Sequence, residues 1–194
     1  MGILMRRRCL GRVLLPLLLG VCLGAERDSL PGTERTEEEI KSAMLYNFIK
    51  FVEWPANALG ENGTPLAVGV LGNEAFVAAL NAALQGKTVS GHPLTVRRLD
   101  ASADPKGCLA IYLGSSDNRQ VARILQSVGR SPILTLGERA QFSRQGGIIS
   151  FIRDGNRVRF EINLDAAERA GLQLSSKLLR LGTVWREAPP EARN

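Results

Sequence analysis

The chain has a single histidine, and a hydrolytic triad usually needs such a base within reach of its nucleophile. His92 precedes Pro93 in Ser90-Gly91-His92, which reads as a turn with no fixed partner for the ring. Zinc sites need clustered cysteine and histidine. Cys108 instead lies in Cys108-Leu109-Ala110-Ile111-Tyr112-Leu113, which reads as a buried strand with the thiol as a small core residue. No Walker loop and no GxSxG nucleophile elbow occurs. Three strand-to-helix turns remain: Gly72-Asn73-Glu74, Gly114-Ser115-Ser116-Asp117 and Gly137-Glu138. Ligands of open α/β sheets bind at such strand ends. Each turn, however, carries an acid at a helix start, where it satisfies free N–H groups and repels an anion. The residues therefore define no catalytic, cofactor-binding or metal constellation.

The elements around these turns follow a regular pattern. The hub is a helix whose Ile40, Ala43, Met44, Asn47, Phe48, Phe51 and Val52 share one face at i, i+3, i+4, i+7 spacing. Leu45 and Ile49 widen that stripe, leaving Lys41, Ser42 and Lys50 as a narrow wet strip. Thr36 and Glu39 form a capping box at its start, and Trp54-Pro55 ends it. Beyond it, strands at 66–71, 93–99, 108–113 and 132–136 alternate with helices over 74–84 and up to Val128, which predicts a parallel sheet covered on both faces.

Asp154-Gly155-Asn156 is a hairpin turn between 148–153 and 157–164. It places Val158, Phe160, Ile162 and Leu164 inward and Arg157, Arg159, Glu161 and Asn163 outward, on an antiparallel edge. Asp165 and Glu168 cap a short helix, Gly171 stops it, and 175–181 forms the last helix. The expected fold is one three-layer α/β domain: a mostly parallel central sheet, an antiparallel C-terminal hairpin, and helices on both faces.

Residues 1–25 read as a secretory signal peptide, with Arg6, Arg7, Arg8 and Arg12 before an apolar run ending at Leu23. A lipidation reading at Cys22 is weakened by Val21 before it, and the twin-arginine pattern is incomplete. Residues 26–35 form a polar tether, 36–187 the domain and 188–194 a frayed tail. Four of the 25 basic residues and none of the 19 acidic ones lie in the first 25 positions, so the remainder carries a net charge near +2. The high pI is thus no argument for nucleic acid. The same cut removes Cys9 and Cys22, leaving Cys108 without an internal disulfide partner.

Three stretches resemble the YfiR family of periplasmic regulatory proteins. They are 43–55, with Phe48 through Trp54-Pro55; Gly146-Gly147-Ile148-Ile149 to Phe151 with Val158-Arg159-Phe160-Glu161-Ile162-Asn163-Leu164; and Ala170-Gly171-Leu172 through Leu181. The resemblance implies a non-enzymatic protein of the periplasm, commonly a homodimer. It further implies binding to the periplasmic sensor domain of an inner-membrane diguanylate cyclase, which is held inactive, lowering cyclic-di-GMP output and biofilm formation. An OmpA-like outer-membrane lipoprotein as sequestering partner is implied as well. The alternative is a periplasmic small-ligand sensor subunit for another membrane receptor, such as a histidine kinase; a cryptic hydrolase stands behind both. Two groups are expected to be exposed and available to a partner: Lys50, Glu53 and Trp54 at the end of the hub helix, and Arg159 and Glu161 with Lys177 and Arg180.

Overall fold

The computed structural model describes residues 35–187 apart from 101, 103, 115, 116 and 140. The signal-peptide reading of 1–25, the tether up to residue 34 and the tail at 188–194 lie outside the described residues. Helix α1 (Glu37–Lys50) begins as expected: the Glu39 N–H donates to Thr36 Oγ1 at 3.2 Å and the Thr36 N–H to the Glu39 carboxylate at 2.9 Å. Its buried face is not the expected one. Lys41, Ser42, Leu45, Phe48 and Ile49 are buried, whereas Asn47 is exposed. Apolar residues surround most of this helix, so periodicity alone does not choose its rotation; the partners of Lys41 and Phe48 do. Nor does Trp54-Pro55 end α1. The helix closes at Phe51, whose N–H donates to the Asn47 and Phe48 carbonyls, and β1 (Val52–Glu53) follows.

The chain continues through β2 (Leu66–Leu71), α2 (Glu74–Leu84), β3 (Thr88–Val89), β4 (His92–Arg98), β5 (Cys108–Leu113), α3 (Asn118–Val128) and β6 (Leu134–Gly137). It ends through β7 (Ile149–Asp154), β8 (Arg157–Asn163), α4 (Leu164–Arg169), β9 (Gln173–Leu174), α5 (Ser176–Leu179) and β10 (Thr183–Trp185). Eight strands form one sheet in the order β10-β8-β7-β6-β5-β2-β4-β3, and β1 pairs with β9 in a separate antiparallel ribbon. Strands β4, β2, β5, β6 and β7 are parallel; β8 returns antiparallel to β7. The expected α/β architecture is present.

One face packs on α1 and α2, the other on α3 through Val121, Ile124 and Val128. Phe48 stands against Phe160 and Phe151, with ring centroids 4.7 and 5.9 Å away. Phe142, fully buried, lies where side chains on Gly137 and Gly147 would stand, which is why both positions need glycine.

Four details depart from expectation. The hairpin is not the sheet edge, because the predicted last helix shortens to four residues and β10 then pairs parallel to β8. Asn163, expected on the wet face, is fully buried, since its Nδ2 donates to the Ser143 carbonyl at 2.7 Å. Its Oδ1 accepts the Ala166 N–H at 2.9 Å, so Asn163 caps α4 in place of Asp165. His92 is buried at 1% exposure and opens β4, with Nδ1 3.0 Å from the Thr64 carbonyl. A carbonyl only accepts, so Nδ1 donates and the ring has the fixed partner the turn reading denied it.

Phe48→Ala should cost about 3–5 kcal/mol in denaturant unfolding, because a three-ring contact becomes a cavity. Phe51→Ala, at a half-buried position, should cost distinctly less. Equal losses would mean that α1 is not seated through Phe48.

Candidate functional site

The strand ends offer the first candidate. The order in which strands are added reverses at β2, whose neighbours β4 and β5 lie on opposite sides of it, and ligands commonly enter such a notch. Here aromatic rings fill it. Tyr112 stacks on Phe76 at a centroid distance of 3.7 Å, and its ring lies 3.3 Å from where a Cβ on Gly72 would stand and 2.7 Å at Gly114. The turn acids divide their roles. Asn73 caps α2, accepting the Phe76 N–H at 2.7 Å, while Glu74 pairs with Arg98. Asp117 caps α3, and residues 115 and 116 of that turn lie outside the described residues. Among the described residues no group of three or more His, Cys, Asp or Glu is placed to hold a metal ion.

Glu138, at the third turn, reaches across to α1. The Lys41 ammonium is held between Glu37 at 2.6 Å and Glu138 at 2.9 Å, and Glu37 also meets Arg153 at 3.2 Å. Burial by itself lowers the Lys41 pKa, but hydrogen bonds and charge from the two glutamates outweigh it and hold the ammonium above the ordinary lysine value. The hydrogen bond from Lys41 lowers Glu37, against the opposing effect of burial.

Next to this cluster lies an uncovered sheet face. Register places Ser150, Glu161 and Thr183 side by side, and Ile152 beside Arg159. These side chains point away from α1, opposite to Phe151, Phe160 and Ile162. The other face of the sheet carries α3 over Leu71, Ile111 and Leu113, while on β7 and β8 Arg139 and the short Ser143–Gln145 turn bury Ser150 and Asn163 and leave Ile152, Arg159 and Thr183 bare. Ile152 is 41% exposed there. A hollow of about 520 Å³ borders the face, lined by Arg139, Arg144, Ser150, Ile152, Arg153 and Glu161 among others.

The structure regroups the predicted interface residues. Lys50, Glu53, Trp54 and Lys177 gather at the β1–β9 ribbon: Glu53 pairs with Gln173, and Lys177 lies 5.2 Å over the Phe51 ring. Lys177 thus belongs with the hub-helix group, not with Arg159. Arg180 follows α5 and is exposed. Trp54 is half-buried against the core, its Nε1 3.4 Å from the Ile49 carbonyl. Arg159 bonds Asp154 at 2.6 Å across the hairpin, an exposed pair of small energetic weight. Ile152 was missed by the sequence reading, although one signal was present: an isoleucine in the outward phase of an alternating strand. Arg139, Arg144 and Arg153 gave no signal, because only the fold brings 139–144 beside β7.

Two expectations follow. Lys41→Met should destabilise the protein by about 1–3 kcal/mol at neutral pH, since both carboxylates lose their cation while keeping partial access to water. Because Glu37 is depressed, its contribution is present above about pH 4.3 and lost as pH falls through the folded value. Because Lys41 is raised, its contribution persists below about pH 10.4 and is lost only as pH rises through its folded value. Denaturation curves from pH 3 to 7 should therefore show the advantage over Lys41→Met shrinking only at the acid end. Burial raises the Cys108 thiol, and Arg97, 2.9 Å from Sγ, opposes this without reversing it. A disulfide reagent should accordingly label Cys108 only after unfolding, and Cys108→Ser should leave partner binding intact.

One solved structure shares this architecture. A conserved domain protein of Vibrio cholerae superposes with a TM-score of 0.52 at 13% identity, over 78% of this chain and 60% of that one. The match therefore spans less than two thirds of that protein, and it speaks to fold. A Streptococcus pneumonia ABC domain solved with L-tryptophan is looser, with a TM-score of 0.46 at 14% identity over 62% of this chain and 55% of its own. The YfiR/HmsC-like family profile matches residues 38–183, from the first turn of α1 into β10. With nearly the whole described fold inside that match, the chain belongs to the YfiR/HmsC-like family.

Proposed function

We propose that this chain is a non-enzymatic periplasmic regulator that binds and represses the periplasmic sensor domain of an inner-membrane diguanylate cyclase. Family membership supports the coarser part: the family consists of periplasmic regulators of the cyclic-di-GMP pathway, not enzymes. The identity of the cyclase, the lowering of biofilm, a homodimeric state and an OmpA-like lipoprotein as second partner belong to the proposal. So does export by the signal peptide.

The observation that carries the reading is the bare part of the β7, β8 and β10 face, around Ile152, Arg159 and Thr183. A sheet face normally hides its apolar residues, yet here Ile152 stands exposed among Arg159, Glu161 and Thr183. An apolar centre with an arginine in a polar rim is the composition of a protein-binding surface. The closed strand-end notch supports contact in place of chemistry. Trp54 suits this role less, because its ring plugs the end of the core.

A second reading, a small-ligand sensor subunit for another membrane receptor such as a histidine kinase, has one observation in its favour. The hollow of about 520 Å³ beside Arg139, Arg144 and Arg153 is large enough for a metabolite.

Ile152→Asp and Arg159→Glu should each weaken binding of the cyclase sensor domain, read by calorimetry, by about 2 kcal/mol or more at unchanged melting temperature. Trp54→Ala should lower the melting temperature instead. If both face variants bind like the parent, the contact lies elsewhere on the chain.

A further inference from the structure

Positive charge collects without counter-charge around the last turn of α1. The Lys50 and Lys87 ammoniums stand 5.5 and 5.9 Å from the centre of the same Tyr46 ring. Lys177 of α5 lies 5.2 Å from the centre of the Phe51 ring, at the end of that turn, and Arg180 follows α5. All four cations are exposed. Among the described residues none of them meets a carboxylate, whereas Lys41, Arg98, Arg153, Arg159, Arg169 and Arg186 each do. Glu53 is the one carboxylate of the β1–β9 ribbon beside them, so positive charge prevails there.

An apolar side chain stands next to these charges. Leu181 is 65% exposed, more than any other large hydrophobic residue among those described. Its N–H donates to the Leu178 carbonyl at 3.0 Å, and the Arg180 N–H to the Ser176 carbonyl at 3.1 Å, so the turn of α5 continues as far as Leu181. Leu181 therefore falls one turn after Lys177, on the same side. A leucine held in water forgoes the transfer free energy that burial would return.

We propose that this surface attaches the protein to the periplasmic leaflet of the inner membrane, with Lys50, Lys87, Lys177 and Arg180 on anionic lipid phosphates and Leu181 in the headgroup layer. The side chains favour lipid over an acidic protein. Three of the four cations are lysines, which protein interfaces deplete while enriching arginine. A lysine is a hydrated point charge on a flexible stem and suits mobile phosphates; fixed carboxylates are met better by the guanidinium fork. Tyr46 also suits a boundary between wet and apolar layers. Among the described residues no helix is long and apolar enough to cross a membrane, so the contact is peripheral and reversible. Beyond the first 25 positions the chain carries a net charge near +2, so the attraction comes from this local grouping and not from bulk charge. The contact is separate from the Ile152 face and does not depend on the partner being a cyclase. It would raise the local concentration of the chain beside any partner embedded in the same membrane.

The test is co-sedimentation of the chain, exported and purified from the periplasm, with vesicles of phosphatidylglycerol in phosphatidylcholine and with phosphatidylcholine alone. Binding should require phosphatidylglycerol and weaken as salt is raised. Each cation near such a surface strengthens attachment roughly fivefold, so the pair Lys50→Gln with Lys87→Gln, and the pair Lys177→Gln with Arg180→Gln, should each weaken it roughly tenfold or more. Leu181→Ser should weaken it as well. Arg119→Gln with Arg130→Gln removes the same charge from exposed positions at the two ends of α3, on the opposite side of the sheet, and should leave binding unchanged. All these sites are exposed, and circular dichroism checks the fold; should one patch pair misfold, the other decides. A parent that ignores phosphatidylglycerol, patch variants that bind like the parent, or an equal loss from the α3 pair would each overturn the proposal. Patch variants that lose the cyclase sensor domain while keeping the vesicles would assign the surface to a protein and overturn it too.

Discussion

A buried ammonium group cannot be left without counter-charge, and the Lys41 cluster answers that constraint for the whole fold. Its side chain is only 9% exposed and sits between Glu37, one turn earlier on the same helix, and Glu138 at the end of β6. The first contact is local to α1; the second crosses from the helix layer to the sheet. Together they make the observed rotation of α1 tolerable, because the packing of Phe48 and Ile49 on the sheet brings Lys41 inside, where an unpaired ammonium would be costly. With that rotation chosen, Phe48 and Ile49 face the sheet and Asn47 faces solvent.

The consequences reach the end of the chain. Phe48 meets Phe151 and Phe160 of the β7–β8 hairpin, and β1, which follows the helix, pairs with β9. The C-terminal segment is thus held at several points: by the ribbon, by Ser175 donating to the Phe51 carbonyl, and by β10 against β8. Past β10, Arg186 and Glu187 bond back to α4 through Asp165, Glu168 and Arg169. Exposed ion pairs of this kind contribute little singly, but they fix where β10 leaves the sheet.

Coverage of the sheet is unequal, and the proposed function rests on that inequality. One face is packed by α1 and α2, and the other by α3 with Phe142 and the short Ser143–Gln145 turn. The notch where a metabolite would ordinarily bind is occupied by Tyr112 and Phe76. At the β10 end of the sheet, Ile152, Arg159 and Thr183 stay open to solvent. Under the proposed function, that bare strand face is the surface through which the chain meets its partner.

Local patterns were legible in the residues before any folding was considered. The Thr36–Glu39 capping box, the strand at 108–113, the helix over 74–84 and the turn at Gly155 each depend on neighbours a few positions apart, and each stands where the pattern puts it. Three stretches also carried the family. The rotation of α1 was not legible, because nearly all its sides are apolar and the deciding partner, Glu138, is almost a hundred residues away. Nor was β10, since Thr183–Trp185 becomes a strand only by hydrogen bonding to β8. Asn163 and His92 looked solvent-facing until Ser143 and Thr64 came within bonding distance. The sequence by itself determined the elements and the family, because those rest on short-range geometry; burial and pairing are properties of residues distant along the chain, and only the tertiary structure decided which surfaces stay bare.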